Sequence, residues 1–377
     1  MRVGIIGHAS RLERENQSWA NDDTVFFTVR EALENSGLSL EDIDTVVQAG
    51  DDVMDGIAIQ HVYTVEPAGS LLKDESKVER DGAWAVHYAI AKLLSGKFRT
   101  AMVIAQSKGS QCNYSAFSGM SADPFYLRPV GLDGFSAGAL QAAYFQAESG
   151  ATEEDFALVA AKNRRNARTN ERAIPGEAGE FTTDQILSSP AIATPIRDLT
   201  AARAGDGCVV LLLASQEFIK ERGLNAAYLT GVGLSSDVYY PTFRKLGQVE
   251  SAGHAARAAL KMAGVSVEAI DFVELHEVFA HQELMLYEAL GLCPPGGARQ
   301  WIQSGHTERD GTLPVNASGG ALCSHVVYAT GLARIMEAYL QLVERAGDGQ
   351  LNNVKRALVH SQAGLAMQAN IVYVLEN

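Results

Sequence analysis

The sequence predicts an α/β protein with helices on both faces of its sheets. Short apolar segments, typical of buried strands, alternate with helical segments along the chain. The longest apolar run, at 208–214, suits a buried strand and is too short to cross a bilayer. Strands are expected at 2–6, 44–48, 100–105, 208–214, 227–232, 271–275, 356–360 and 370–375.

An internal repeat indicates that the chain consists of two related halves. Residues 32–47 and 259–274 are identical at eight of sixteen positions, with glycine helix stops at Gly37 and Gly264. Each copy is followed by a helical segment that begins at a glycine, and then by a further strand. We interpret the halves as 1–215 and 216–377. Unrelated helix–strand units with similar end signals are the open alternative.

A loop-rich insertion interrupts the N-terminal half at about 113–200. It contains the segment KNRRNARTNER at 162–172, which has five basic residues and one acidic residue. Binding sites often lie on such loops, and this cluster could hold an anionic cofactor. A solvated helix face explains the same cluster equally simply.

Composition and charge narrow the classes of function. The net charge is −14, from 31 basic and 45 acidic residues, which disfavours nucleic acid as a partner. The four cysteines have no CxxC spacing, so we expect neither a disulfide framework nor a cysteine metal site. The N-terminus has no signal-peptide pattern and no segment is long enough to span a membrane. We therefore expect a cytoplasmic protein without a membrane partner.

Two histidine-bearing segments in the C-terminal half are candidates for chemistry. His276 lies in ELHEVFA at 274–280, just after a predicted strand. His325 follows the segment that contains Asn316, Gly319 and Gly320. Two imidazoles beside one cleft could supply N–H donors to an enolate or oxyanion. Each histidine taken alone also fits a structural role.

These residues resemble the thiolase superfamily, especially its sterol-carrier-protein-X type. HEVFA at 276–280 is similar to the family's (Asn/His)-Glu-Ala-Phe-Ala motif, and 316–331 is similar to its Asn-x-x-Gly-Gly … Gly-His-Pro … Gly segment. The segments 162–171 and 188–215 resemble its loop domain and the strand after it. The resemblance implies a five-layered α/β/α/β/α fold of two duplicated halves with a loop-domain insertion.

The resemblance also implies ligands and partners. Coenzyme A, as an acyl-CoA substrate, would meet the loop domain, and no metal is expected in this chain. The family is usually dimeric, so a homodimer or a heterodimer with a thiolase-like chain is expected. Related aldolases often pair with a small zinc-ribbon/OB-fold protein. The cofactor-binding candidates are Lys162, Arg164, Arg165, Arg168, Gly319 and Gly320.

Both catalytic cysteines of the family pattern are absent. Counting back from Ser95-Gly96, the nucleophile position falls on Glu79, which could be a base, an ion-pair partner of Arg80 or a plug. The second cysteine position falls on Ser361 or His360, and the oxyanion-hole glycine falls on Ala363. The remaining catalytic candidates are His276, His325, Glu79, Asn316, Tyr328 and His360.

Three functions remain open at this point. The first is an acyl-CoA lyase or transferase without a cysteine nucleophile, acting by retro-aldol or related cleavage of a β-hydroxyacyl- or β-ketoacyl-CoA. The second is an inactive subunit that supports a homologous active chain. The third is an acetyltransferase-type thiolase in which Cys112 or Cys323 is a non-standard nucleophile.

Overall fold

The computed structural model describes residues 2–377. Its strands are β1 (Val3–Glu13), β2 (Thr45–Ala49), β3 (Asp74–Val78), β4 (Thr100–Lys108), β5 (Ala191–Ala193), β6 (Ile196–Arg197), β7 (Asp206–Ser215), β8 (Ala227–Ser236), β9 (Phe272–Glu274), β10 (Arg356–Ala363) and β11 (Ala369–Glu376). Its helices are α1 (Asn21–Ser36), α2 (Asp52–Asp55), α3 (Gly82–Leu94), α4 (Tyr114–Met120), α5 (Gly134–Ser149), α6 (Glu153–Asn166), α7 (Thr183–Leu187), α8 (Gln216–Arg222), α9 (Glu250–Ala263), α10 (Ala280–Ala289), α11 (Ala298–Gln303) and α12 (Thr330–Leu342).

Nine strands form one mixed sheet in the order β3-β2-β4-β7-β1-β8-β11-β10-β9. The first five strands belong to the N-terminal half and the last four to the C-terminal half. The halves join where β1 and β8 pair antiparallel, with Val3 opposite Leu229 and Ile5 opposite Ala227. The predicted strands are all present, whereas β3 was not predicted because its sequence, DESKV, is polar.

The helices form three layers around the two parts of this sheet. Helices α3 and α12 lie in the centre and share one apolar core with the inner faces of both parts. Helix α1 covers the outer face of the N-terminal part, and α9 and α10 cover that of the C-terminal part. The five-layered α/β/α/β/α arrangement expected from the sequence is therefore confirmed.

The order of elements repeats between the halves. The series β1, α1, β2, α3, β4, β7 corresponds to β8, α9, β9, α12, β10, β11. This correspondence makes α3 and α12 counterparts. The insertion between β4 and β7 contains α4 to α7 and the small β5–β6 hairpin.

No helix within residues 2–377 is long and apolar enough to cross a membrane. In the same part of the chain, no group of three or more His, Cys, Asp or Glu side chains is placed to hold a metal ion.

Candidate active site

The N-terminus of α3 meets α12 at the centre of the molecule. Asp81 is the N-cap of α3, and its side chain accepts a hydrogen bond from the backbone N–H of Ala83 at 2.9 Å. Gly82 allows the close packing, because a Cβ there would lie 2.7 Å from Leu332 Cβ in α12. The first turn of α3 thereby places the buried carboxylate of Asp81 against the C-terminal half.

A cleft of about 270 Å³ opens at this junction. Six parts of the chain line it: the turn before α3, the α4 region, Gly134 at the start of α5, and the segments around His276, His325 and Gln362. Both motif histidines therefore share one cleft, as the sequence predicted. Their ring centroids are 5.9 Å apart.

His276 is held through its Nδ1 atom. Nδ1 lies 3.0 Å from Ser361 Oγ, and the Ser361 hydroxyl donates to Asp81 Oδ1 at 3.1 Å. Because the single hydroxyl proton of Ser361 goes to Asp81, the hydrogen-bond network assigns the His276 proton to Nδ1. Nε2 of this neutral ring then carries a lone pair, and His276 lines the cleft.

His325 has a similar arrangement. Its Nδ1 lies 2.9 Å from Thr330 Oγ1, and the Thr330 hydroxyl donates to the carbonyl of Val326 at 2.9 Å. Nδ1 must therefore be the donor, which leaves a lone pair on Nε2.

Burial keeps both imidazoles neutral. Desolvation lowers the pKa of His276 well below its ordinary value, and the nearby His325 adds to this effect. Desolvation also lowers the pKa of His325 to about 4. The cleft therefore receives two proton acceptors, which corrects the expectation of two N–H donors.

An amide network fixes the His276 backbone. Gln362 Nε2 donates to the carbonyl of His276 at 2.7 Å and to Gln282 Oε1 at 2.8 Å. Gln282 in turn donates to Gln141 of the insertion at 3.0 Å. Sequence reasoning missed these glutamines because they come from three distant segments without a shared motif.

A buried ion pair on the interior side of the cleft wall connects the two histidine segments. Arg334 of α12 donates to Glu274 Oε2 at 2.8 Å, and both side chains are 0% exposed. Arg334 also donates to Ser318 and Ser324, the latter next to His325. One guanidinium thus ties the strand before His276 to the turn before His325.

Tyr328 lines the cleft with an engaged hydroxyl. It donates to Asp51 Oδ2 at 2.8 Å, and desolvation together with Asp51 raises the pKa of Tyr328. The backbone of Tyr328 has a φ of 67°, and its carbonyl accepts the N–H of Gly82 at 2.7 Å. A bulky residue in this left-handed conformation is uncommon and is held here by contacts with the N-terminal half.

Glu79 lies at the rim of the cleft rather than beside the imidazoles. Its side chain is 51% exposed, pairs with Lys77 at 2.8 Å and accepts the backbone N–H of Asp52. Arg80 packs over Trp84 instead of pairing with Glu79. The residue of this turn that is buried against the C-terminal half is Asp81.

Three other predicted residues lie behind the cleft wall. Asn316 is buried and donates to Glu277 and Glu283, and Gly319 and Gly320 pack against Ala167 and Glu277. Burial raises the pKa of Glu277 to about 8. These three positions shape the turn beneath the site, and none of them lines the cleft.

His360 points to the other face of the sheet. Its Nε2 pairs with Asn370 at 2.8 Å, and desolvation lowers the pKa of His360 to about 4. Since neighbouring strand residues point to opposite faces, Ser361 bonds to His276 and Asp81, whereas His360 faces away from them and does not line the cleft. The expectation that His360 supplies a base to the site is therefore corrected.

The basic cluster of the insertion is neutralised within the chain. Lys162 and Arg164 are each 1% exposed and pair with Glu283 and Glu177. The more exposed members pair as Arg165–Glu308 and Arg168–Glu180. The expected cationic surface at 162–172 is therefore wrong for Lys162 and Arg164, because acidic residues elsewhere in the sequence draw them into the interior.

No cysteine of residues 2–377 lines the cleft. Cys323 is buried, with its Sγ near the carbonyls of Asn163 and Glu177, and desolvation raises its pKa to about 12. A thiol that does not ionise is a poor nucleophile. Cys323 is therefore a buried packing residue and not a nucleophile of the site.

Two further cavities lie nearby. One of about 250 Å³ shares His325 and Tyr114 with the cleft and is otherwise lined mainly by apolar residues of the insertion. A larger one, about 530 Å³, lies between α5, α9 and α10 and contains neither motif histidine. The smaller cavity is the one that extends the site, because His325 belongs to both spaces.

Comparison with known proteins connects this fold and site to one superfamily. Residues 238–377 match the family model described as thiolase C-terminal domain-like. The benzoylsuccinyl-CoA thiolase subunit BbsB of Thauera aromatica is 29% identical over 229 residues, 60% of this chain and 59% of that protein. The acetyl-CoA acetyltransferase of Methanothermobacter thermautotrophicus is 30% identical over 220 residues, 58% of this chain and 57% of that protein. The chain thus spans little more than half the length of these curated relatives.

Solved structures agree over the whole chain. The Ltp2-ChsH2(DUF35) aldolase has a TM-score of 0.84 at 23% identity, covering 100% of this chain and 97% of that chain. Human mitochondrial 3-ketoacyl-CoA thiolase has a TM-score of 0.74 at 15% identity, covering 100% and 98%. The protein therefore has the thiolase fold. Its C-terminal part matches the thiolase C-terminal domain-like family model, and its sequence relatives include thiolases, in agreement with the resemblance.

Proposed function

We propose that this protein is an acyl-CoA lyase that cleaves a C–C bond of a β-hydroxyacyl-CoA without a covalent acyl-enzyme. One observation carries the proposal: two neutral imidazoles with lone pairs on Nε2 line a cleft that no cysteine of residues 2–377 lines. A thiolase needs a thiolate to hold the acyl group. A retro-aldol cleavage needs a base and no nucleophile.

The proposed reaction balances with a single imidazole. Nε2 takes the proton of the β-hydroxyl, and the electron pair of that O–H bond forms the new C=O bond. The Cα–Cβ bond breaks, and its electrons move onto the thioester as an enolate. The imidazolium then returns the proton to the α-carbon, giving a carbonyl product and a shortened acyl-CoA.

The cavities support a substrate with a short thioester arm and an apolar group. The cleft provides about 270 Å³, and the cavity beyond His325 adds about 250 Å³. Arg80 lines the cleft and forms no ion pair among the described residues, so we propose it as a cation for coenzyme A. The two curated relatives named above are called a CoA thiolase subunit and an acetyl-CoA acetyltransferase, which supports an acyl-CoA substrate here.

A protein partner is part of the proposal. The solved aldolase with the similar fold is named Ltp2-ChsH2(DUF35), which supports a second protein component here. A small zinc-ribbon/OB-fold partner was expected from the sequence resemblance, as was a homodimer or a heterodimer with a thiolase-like chain. We therefore propose to assay the chain both alone and with proteins that copurify from its host.

An inactive supporting subunit is the second candidate. It is favoured by the loss of both cysteines together with the internal pairing of Lys162 and Arg164. The open cleft argues against an inactive subunit, because substitutions that fill the cleft with side chains would be tolerated once the site no longer binds a substrate. An acetyltransferase with a non-standard nucleophile is disfavoured by the burial of Cys323.

The test uses the purified full chain with matched β-hydroxyacyl-CoA and β-ketoacyl-CoA substrates, followed by mass spectrometry of the CoA esters. His276→Ala and His325→Ala are the test variants. His254→Gln is the matched control, because His254 is exposed on α9, away from the cleft.

We expect cleavage of the hydroxy substrate, reduced about 10²-fold or more in both test variants and unchanged in the control. No turnover with either substrate, alone or with partners, would exclude the enzyme. An acyl adduct on a cysteine would favour the acetyltransferase. Copurification of a homologous chain that alone carries the activity would favour the supporting subunit.

A further inference from the structure

The buried chain Asp81–Ser361–His276 joins the two halves of the molecule through hydrogen bonds. Asp81 comes from the N-terminus of α3, Ser361 from β10 and His276 from the segment after β9. The three residues are 4%, 1% and 5% exposed. No element of the chain brings these residues together locally, so their alignment depends on the assembled fold.

Each hydrogen bond in this chain has one direction. Asp81 Oδ1 accepts from Ala83 N–H at 2.9 Å and from the Ser361 hydroxyl, and Oδ2 accepts from Gly331 N–H at 3.0 Å. Three donors around one carboxylate favour its ionised form. Ser361 must then accept from His276 Nδ1–H. The Ser361 hydroxyl then both donates a hydrogen bond to Asp81 and accepts one from His276. It therefore connects these two side chains and does not act as a nucleophile.

We propose that Asp81, Ser361 and His276 form a proton relay in which ionised Asp81 holds the His276 proton on Nδ1 and makes Nε2 the base of the cleft. A carboxylate that fixes a catalytic histidine's tautomer is known to be worth several orders of magnitude in rate in serine proteases. Here a serine hydroxyl is inserted between the carboxylate and the ring. The catalytic part of this inference rests on the proposed function, whereas the tautomer does not.

Protonation of Asp81 reverses the relay. A protonated Asp81 donates to Ser361, Ser361 donates to His276 Nδ1, and Nε2 becomes an N–H donor. His325 and Asp81 face His276, while His360 on the other face of the sheet and Arg334 beneath the site act on it electrostatically, and Tyr373 lies close to Asp81. Burial raises the pKa of Asp81 to about 6, so the reversal falls in an accessible pH range.

The test is ¹⁵N NMR of the full-length protein labelled at histidine, which distinguishes a protonated from an unprotonated ring nitrogen. His276 is assigned by its absence in His276→Gln. Asp81→Asn is the main variant, because an amide nitrogen in the place of Oδ1 donates to Ser361 while the amide oxygen still accepts from Gly331 N–H, and only the bond from Ala83 N–H is lost. Ser361→Ala is the second variant if Asp81→Asn does not fold. Thr330→Val is the control, because it removes the Nδ1 partner of His325 and leaves the hydrogen bonds of His276 in place.

At pH 7.5 we expect His276 to be protonated on Nδ1 in the wild type and in Thr330→Val. We expect the proton on Nε2 in Asp81→Asn, and a loss of the Nδ1 preference in Ser361→Ala. A wild-type His276 protonated on Nε2, or a tautomer unchanged by both relay variants, would overturn the relay.

Activity measurements separate the relay from the proposed reaction. If the tautomer responds to Asp81 but no β-hydroxyacyl-CoA is cleaved, the relay stands and the proposed reaction fails. If cleavage occurs and kcat in Asp81→Asn stays within tenfold of the wild type, the relay has no catalytic role. We expect a fall of about 10²-fold or more in kcat.

Discussion

Replacing Arg334 by Met tests the buried ion pair beneath the site. Arg334→Met keeps the volume of the side chain but leaves Glu274 buried without its cation, and burial already raises the pKa of Glu274. The carboxylate must then take up a proton. Since its ordinary pKa is 4.5, protonation at pH 7.5 costs about 4 kcal/mol. This agrees with the roughly 3–5 kcal/mol expected when a buried pair loses one partner.

The same reasoning gives a pH dependence with a definite sign. In Arg334→Met, the folded state holds a proton on Glu274 that the unfolded state releases above pH 4.5. Stability relative to the wild type therefore falls as the pH rises, and the loss of about 4 kcal/mol at pH 7.5 shrinks to about 1.5 kcal/mol at pH 5.5. Urea unfolding followed by tryptophan fluorescence at both pH values measures this difference.

Two further variants complete the experiment. The double variant Arg334→Met/Glu274→Gln removes both charges, so it should lose the pH dependence and regain most of the stability. Arg30→Met breaks an exposed pair with Glu34 and should stay within about 0.5 kcal/mol of the wild type. A loss in Arg334→Met that is below 1 kcal/mol, or independent of pH, would refute the reasoning.

Three further predictions concern the cleft. Because Asp81 must be ionised, kcat should fall as the pH drops through about 6, and the pH–rate profile of Asp81→Asn should lack this fall. A fall of kcat near pH 4 in the wild type would instead report the protonation of His325. Tyr328→Phe should lower kcat less than tenfold, because the hydroxyl already donates to Asp51, and a loss above 100-fold would identify Tyr328 as the base. Native alkylation followed by peptide mass spectrometry should modify Cys112 at most, since burial raises the pKa of Cys323 to about 12; labelling of Cys323 would restore it as a candidate nucleophile.

Much of the fold was predictable because its signals are local. The run at 208–214 and the repeated segments 32–47 and 259–274 have apolar patterns and end signals that need no knowledge of distant residues. The edge strand β3 escaped notice because one side of it faces solvent and its sequence is polar.

The site was predictable only in part, because its geometry depends on distant contacts. The shared cleft of His276 and His325 follows from their motifs. The burial of Asp81 and the exposure of Glu79 depend on where α3 begins, which a count from the far end of the helix does not fix. The burial of the Lys162 side chain depends on its ion pair with Glu283, a residue far away in the sequence.

The pairing of β1 with β8 has a consequence for synthesis of the chain. Val3 pairs with Leu229, and its other neighbour, Ser215, is also made late. At about 5–20 residues per second, the first strand waits roughly 10–45 s on the ribosome before both partners exist. Ser361, which completes the contact with Asp81, follows it by 280 residues. We therefore expect the nascent chain to depend on chaperones that shield β1, and the cleft to form only after both segments have been made.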